Sequence, residues 1–175
     1  MRFLAIVFVI GLVEVQGASI DYDKCEEKSG HYGVTVQCKG GYVATELCTS
    51  GKSADCNKAY TRLRCCAVKK TAGVQGCNQL SGGYGKQLNC QSRKIVTSVC
   101  SSGKSGDCGG KQYTRIQCCD GLGVTPSTKR CRWVGAHYGR WATCCNDEVI
   151  TGVCSSGKSA DCSGSYTRIY CCPLQ

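Results

Sequence analysis

Histidine is almost absent. His31 and His137 are the only two in a chain of 175 residues. A cysteine–histidine zinc centre has little to draw on, and the cysteine spacings lack the Cys-x-x-Cys form that such sites use. No metal and no cofactor is expected. The two histidines occupy matching positions in two internal repeats, but the repeat between them has Gly83 there, which argues against a required acid–base group. No apolar run beyond Val13 reaches the about 20 residues that cross a bilayer, so no transmembrane segment is expected. No stretch sustains the apolar period of a helix. There is no serine nucleophile elbow. Gly-Lys-Ser at 51–53, 103–105 and 157–159 lacks the following helix of a phosphate-binding loop. Outside the repeated loops, Asp21 to Glu27, Glu46 and Asp147-Glu148 show no repeated paired-carboxylate geometry. The chain does not read as an enzyme.

Cysteine is abundant, at 19 residues. Residues 1–17 read as a secretory signal peptide: Arg2 opens it, Phe3 to Val13 is apolar, and Val15-Gln16-Gly17 offers small residues for cleavage. A signal and this cysteine density together imply an oxidising, extracellular setting and a disulfide scaffold. The formal net charge is +10, and Arg2 and Glu14 cancel within the leader. Such a balance suits anionic partners such as acidic glycans, mucins or bacterial surfaces. A lysine-rich surface with no partner fits the same number. Nucleic acid is not expected outside the cell.

The cysteines repeat. Cys25, Cys38, Cys48, Cys56, Cys65 and Cys66 form one set. Cys77, Cys90, Cys100, Cys108, Cys118 and Cys119 form the second, and Cys131, Cys144, Cys154, Cys162, Cys171 and Cys172 the third. The first three gaps are identical in all three sets, and each set closes on a vicinal pair. This divides the chain into modules at 18–70, 71–124 and 125–175. Six cysteines imply three bridges per module, whose pairing the sequence leaves open. Adjacent strand residues face opposite ways, so the vicinal cysteines are expected to bond different partners. Bridges closed within modules are the default; bridges between modules are the other option. Cys145 falls outside the pattern, as a free thiol or a link to a second chain.

Each module reads as three or four short strands between glycine-rich turns. In module one, Val34 to Cys38, Tyr42 to Cys48 and Ala59 to Cys66 are strands, Ser29 to Gly33 is a turn, and Ile20 to Cys25 is a weaker fourth strand. The fold class is all-β, arranged either as a β-prism-like domain with pseudo-threefold symmetry or as three stapled β modules. The repeat resembles the vitelline membrane outer layer family in its three internal copies. The closing pattern is similar too: Gly157-Lys158-Ser159-Ala160-Asp161, then Tyr166 to Cys171. That resemblance implies a β-prism of three Greek-key sheets and a secreted coat protein with carbohydrate interaction. The chain is also similar to cysteine-repeat proteins secreted by invertebrate gut and matrix tissues.

Two triplicated groups are candidate ligand contacts. Each loop carries Lys and Asp: Lys52 and Asp55, Lys104 and Asp107, Lys158 and Asp161. Each closing strand opens with Tyr-Thr-Arg: Tyr60 and Arg62, Tyr113 and Arg115, Tyr166 and Arg168. As ligand contacts, Asp would accept sugar hydroxyls, Tyr would stack on a ring, and Arg would grip acid groups through its planar fork. As scaffold, Asp would close its loop, Arg would pair with it, and Thr and Tyr would fill strand positions. The scaffold reading carries more weight, because a repeated fold requires repeated residues. Tyr32, Tyr84 and Tyr138, each before a glycine, read as covers for turns rather than as a platform. Trp133 and Trp141, the only two tryptophans, read as core residues before ligand stackers. The function read from all this is a secreted, non-catalytic binding, matrix or coat protein, lectin-like and multivalent toward anionic or amino-sugar glycans. The alternative is a cationic secreted defence protein; a glycan-processing enzyme ranks last. A disulfide-linked dimer through Cys145 is one expected assembly.

Overall fold

The structure, a computed structural model, describes residues 19–50, 54–69, 73–91, 93–102, 106–121, 123–156 and 160–175. The expected signal peptide and the loop lysines Lys52, Lys104 and Lys158 lie outside the described residues.

Among the described residues, regular structure consists of twelve strands and no helix. The first cysteine set holds β1 (Ile20–Gly30), β2 (Val36–Gln37), β3 (Tyr42–Thr49) and β4 (Thr61–Val68). The second holds β5 (Val74–Gly82), β6 (Leu88–Asn89), β7 (Ile95–Ser101) and β8 (Thr114–Gly121). The third holds β9 (Arg132–Ala136), β10 (Ala142–Thr143), β11 (Glu148–Ser155) and β12 (Thr167–Pro173). The all-β reading holds. Two expectations shift. The first strand runs on to Gly30 and absorbs the start of the expected turn. The second keeps only Val36 and Gln37, because a bond from the Val34 amide to the His31 carbonyl holds the preceding residues in a turn.

Three four-stranded sheets result, in the orders β1-β4-β3-β10, β5-β8-β7-β2 and β9-β12-β11-β6. Three strands of each sheet come from one cysteine set, and the fourth, a two-residue strand, comes from another. β2 pairs with β7 through Val36–Val99, β6 with β11 through Leu88–Val153, and β10 with β3 through Ala142–Leu47. A bulge prepares each acceptor strand. The register slips at Thr45, Thr97 and Thr151, the same position in each set. A bulge leaves one residue out of the ladder. Here its carbonyl is used: Thr97 accepts the Cys38 amide, Thr151 that of Cys90 and Thr45 that of Cys144. The threonine hydroxyls bond across their own sheet, to the carbonyls of Gln117, Tyr170 and Arg64. Each extra residue is thus satisfied on both sides, as a buried polar group requires.

β7 and β11 are buried along their whole length, and β3, β7 and β11 contact one another. One apolar cluster takes Leu47 and Leu63 from the first set, Val99 and Ile116 from the second, and Val153 and Ile169 from the third, each nearly or fully buried. The three sets therefore share a core instead of building three.

Nine disulfides join the eighteen patterned cysteines, all within their own sets. The first cysteine pairs with the last, as Cys25–Cys66, Cys77–Cys119 and Cys131–Cys172. The second pairs with the fifth, as Cys38–Cys65, Cys90–Cys118 and Cys144–Cys171. The third and fourth close the loop, as Cys48–Cys56, Cys100–Cys108 and Cys154–Cys162. Cys25 and Cys66 face each other across β1 and β4 of one sheet. Cys38 follows β2, which belongs to the second sheet, and Cys65 lies on β4 of the first, so a bridge closed within one set ties two sheets together.

Candidate functional site: three aromatic stations at the set boundaries

The repeated tyrosines meet in pairs. Tyr32 lies edge-on to Tyr60 with ring centroids 4.8 Å apart, and Tyr138 edge-on to Tyr166 at 5.1 Å. Tyr84 and Tyr113 are closer, at 3.8 Å, and tilted. The turn tyrosine of each set therefore covers the strand tyrosine of the same set, and all six rings remain half-exposed. Burial pushes the Tyr84 hydroxyl above its ordinary value, and Tyr113 and then Tyr32 add to the shift through their charges.

The aspartates arrive from the neighbouring set. Gly33 follows Tyr32 at a φ of 65°, and a Cβ built there would lie 2.6 Å from the Cβ of Asp107. Gly85 meets Asp161 in the same way, and Gly139 meets Asp55. Only glycine fits a left-handed turn pressed this closely on a neighbouring backbone. The serine before each loop donates to the aspartate: Ser50 to Asp55 at 3.1 Å, Ser102 to Asp107 at 3.4 Å, Ser156 to Asp161 at 2.9 Å. These aspartates are exposed. Each station is thus a tyrosine pair from one set whose turn glycine packs on an aspartate of the next.

Beneath the loops the three sets touch through hydroxyls. Ser155 Oγ reaches Thr49 Oγ1 at 2.9 Å and Ser101 Oγ at 2.6 Å, and Thr49 Oγ1 reaches Thr167 Oγ1 at 2.5 Å. All four side chains are buried. Thr49, Ser101 and Ser155 each follow the third cysteine of their set, so the loops rise from one buried polar junction.

The arginines do a different job from the one expected as scaffold. Arg62 is ion-paired with Glu27 and lies 5.1 Å over the Trp141 ring of the third set. Arg115 donates to Thr35 of the first set at 3.3 Å. Arg168 lies 5.3 Å over Trp133. Two of the three therefore fasten neighbouring sets. Trp133 and Trp141 are half-buried on outer faces, outside the core that sequence reasoning expected to hold them. The stiff indole serves there as a surface for the guanidinium.

Cys145 is exposed and unpaired, and its Sγ accepts a 2.8 Å contact from Arg132. Arg132 is also paired with Glu148 at 3.0 Å, which holds the guanidinium protonated above its ordinary range. Cys144, Glu148 and Cys171 cluster like metal ligands, but Cys144 and Cys171 share a disulfide, and metals take the thiolate. No family model, curated protein or solved structure matches the chain. The geometry of the stations has to speak for itself. Both halves of each station recur visibly in the sequence; what no local signal carries is that the aspartate of one set serves the tyrosines of another.

Proposed function

We propose that the chain is a secreted, non-catalytic binding or coat protein that holds anionic or amino-sugar glycans at three lectin-like stations. The observation that carries this reading is the station itself: two half-exposed tyrosines beside an exposed carboxylate, built three times from residues of adjoining sets. Aromatic faces stack on the apolar face of a sugar while a carboxylate accepts its hydroxyls. Three weak contacts on one rigid body gain by avidity against a polymeric glycan. The fold we propose is β-prism-like, with its sheets around a pseudo-threefold axis, as in the vitelline membrane outer layer family. The cyclic exchange of β2, β6 and β10 and the Thr49–Ser101–Ser155 junction support it. The nine disulfides are consistent with an extracellular location.

Retention on chitin, heparin and mucin tests the function. The protein is expected to be held on at least one of them. The triple variant Tyr60→Ala, Tyr113→Ala, Tyr166→Ala should lose most of that retention while keeping its disulfides. Equal retention of the variant removes the stations from binding. The net charge of +10 favours a second reading, a cationic defence protein; leakage of anionic vesicles at micromolar protein would support it over the first. Cys145 has no cysteine left to pair with inside the chain, so a second copy is its route to a disulfide. A band of twice the mass on a non-reducing gel, lost on reduction, is the expected sign.

A further inference from the structure

A cavity of about 160 Å³ opens where the second set meets the third sheet. Arg93 and Lys94 line it from the turn after β6, Ser127 and Thr128 from the connection before β9, and Tyr170 from β12. Its lining includes no carboxylate. Lys129 and Arg130 continue the basic run beside it and are exposed. Tyr170 is also packed on Trp133, with centroids 5.0 Å apart, and Arg168 covers that indole.

The internal repeat supplies a comparison that most sites lack. Arg93 corresponds to Gly41 in the first set and Asp147 in the third, and all three adopt a left-handed backbone. Glycine takes that conformation freely; arginine does so at a cost. The corresponding third-set turn is acidic and closed. The amide of Asp147 donates to the Tyr22 hydroxyl at 2.8 Å, and its carbonyl accepts the Leu174 amide. The facing pair Trp133–Tyr170 is likewise particular to the third sheet. The same register position holds Gln79–Gln117 in the second and Glu27–Arg64 in the first. Arg93 and Lys94 thus stand where the third set has Asp147 and Glu148, and Trp133 and Tyr170 stand where the second has Gln79 and Gln117, at one place in an otherwise repeated body.

We propose that this groove is a single site for a sulfated sugar unit. Arg93 and Lys94 take the sulfate oxygens, and Tyr170, backed by Trp133, takes a face of the ring. Lys94 Nζ is held by Asp120 at 3.4 Å and donates to the Gly76 carbonyl; an ammonium has three donors, which leaves one for an anion. The volume suits one sugar unit, being well below the roughly 300–1,000 Å³ of larger ligand pockets, so the rest of a glycan would lie outside. The site is distinct from the tyrosine stations and stands or falls without them.

Calorimetric titration of the full protein with N-acetylglucosamine 6-sulfate, its 6-phosphate and the unmodified sugar tests the assignment. Two variants copy the molecule's own repeats and so preserve the fold: Arg93→Gly follows Gly41, and Tyr170→Gln follows Gln117. The sulfated sugar should bind at one per chain. Each variant should weaken it by about tenfold or more, the scale of a charge-assisted hydrogen bond, with thermal unfolding unchanged. The station triple variant should bind it like the parent. Three equivalents per chain, loss in the station variant, indifference to Arg93→Gly, or no binding of the sulfated sugar would each overturn the proposal. Equal binding of the unmodified sugar removes the anion from it, and preference for the phosphate replaces sulfate as its chemistry.

Discussion

At the scale of single residues, the hydroxyl junction deserves the first experiment. Ser155 bonds Thr49 and Ser101 in a buried setting, so all three sets contribute hydroxyls to a point that belongs to none of them. Ser155→Ala removes one oxygen with almost no change of shape. It leaves buried partners short of a bond, which costs about 1–3 kcal/mol. The denaturation midpoint of the oxidised protein should fall accordingly, and glycan retention should not. An unchanged midpoint would mean that water takes the place of the missing oxygen. The tyrosines and aspartates of the stations were legible in the sequence as recurring residues. Their cross-set assembly was not, because spacing reports distance along the chain and Asp107 meets Gly33 through the fold. The tryptophans misled for a related reason: a large apolar ring suggests a core, but the core here is filled by smaller aliphatic residues and half-cystines.

At the scale of elements, the two-residue strands hold the sheets together out of proportion to their length. Val36, Leu88 and Ala142 are equivalent positions, and all three are buried. Leu88→Ala empties the most volume, and a buried leucine truncated in this way costs about 2–5 kcal/mol. It should weaken the β6–β11 edge before the rest. Hydrogen exchange is expected to quicken first at the Cys90 amide, which donates to the bulged Thr151; uniform quickening across all three sheets would refute a local role. The inner strands β3, β7 and β11 were readable as apolar runs ending at cysteine. β1 was legible only in part, as the weaker Ile20 to Cys25 strand, and β5 was not, since both are edge strands with few buried side chains, and such a strand carries little alternation to read. The exchange of β2, β6 and β10 was illegible altogether. Two residues have no period, and their partner is chosen by the whole molecule.

At the scale of the molecule, closure of bridges within sets does not make the sets independent. Their strands are shared, their main core cluster draws on all three, and each second–fifth bridge joins two sheets. A cysteine map alone would therefore suggest three beads where the backbone builds a single body. For the multivalent binding proposed above this rigidity would have a use: three stations held at fixed separation lose less freedom on binding a polymer than three tethered ones would.

The strand exchange has one further consequence. No covalent bond other than the main chain links one cysteine set to the next, since every bridge returns to its own set. Proteolytic cuts after Lys69 and Lys129, both exposed, would leave three covalently separate peptides laced through one another. Such a nicked protein should migrate as one particle in native buffer and come apart into three in denaturant with its bridges unreduced. In a protease-rich fluid, it would lose its backbone continuity long before it lost its shape.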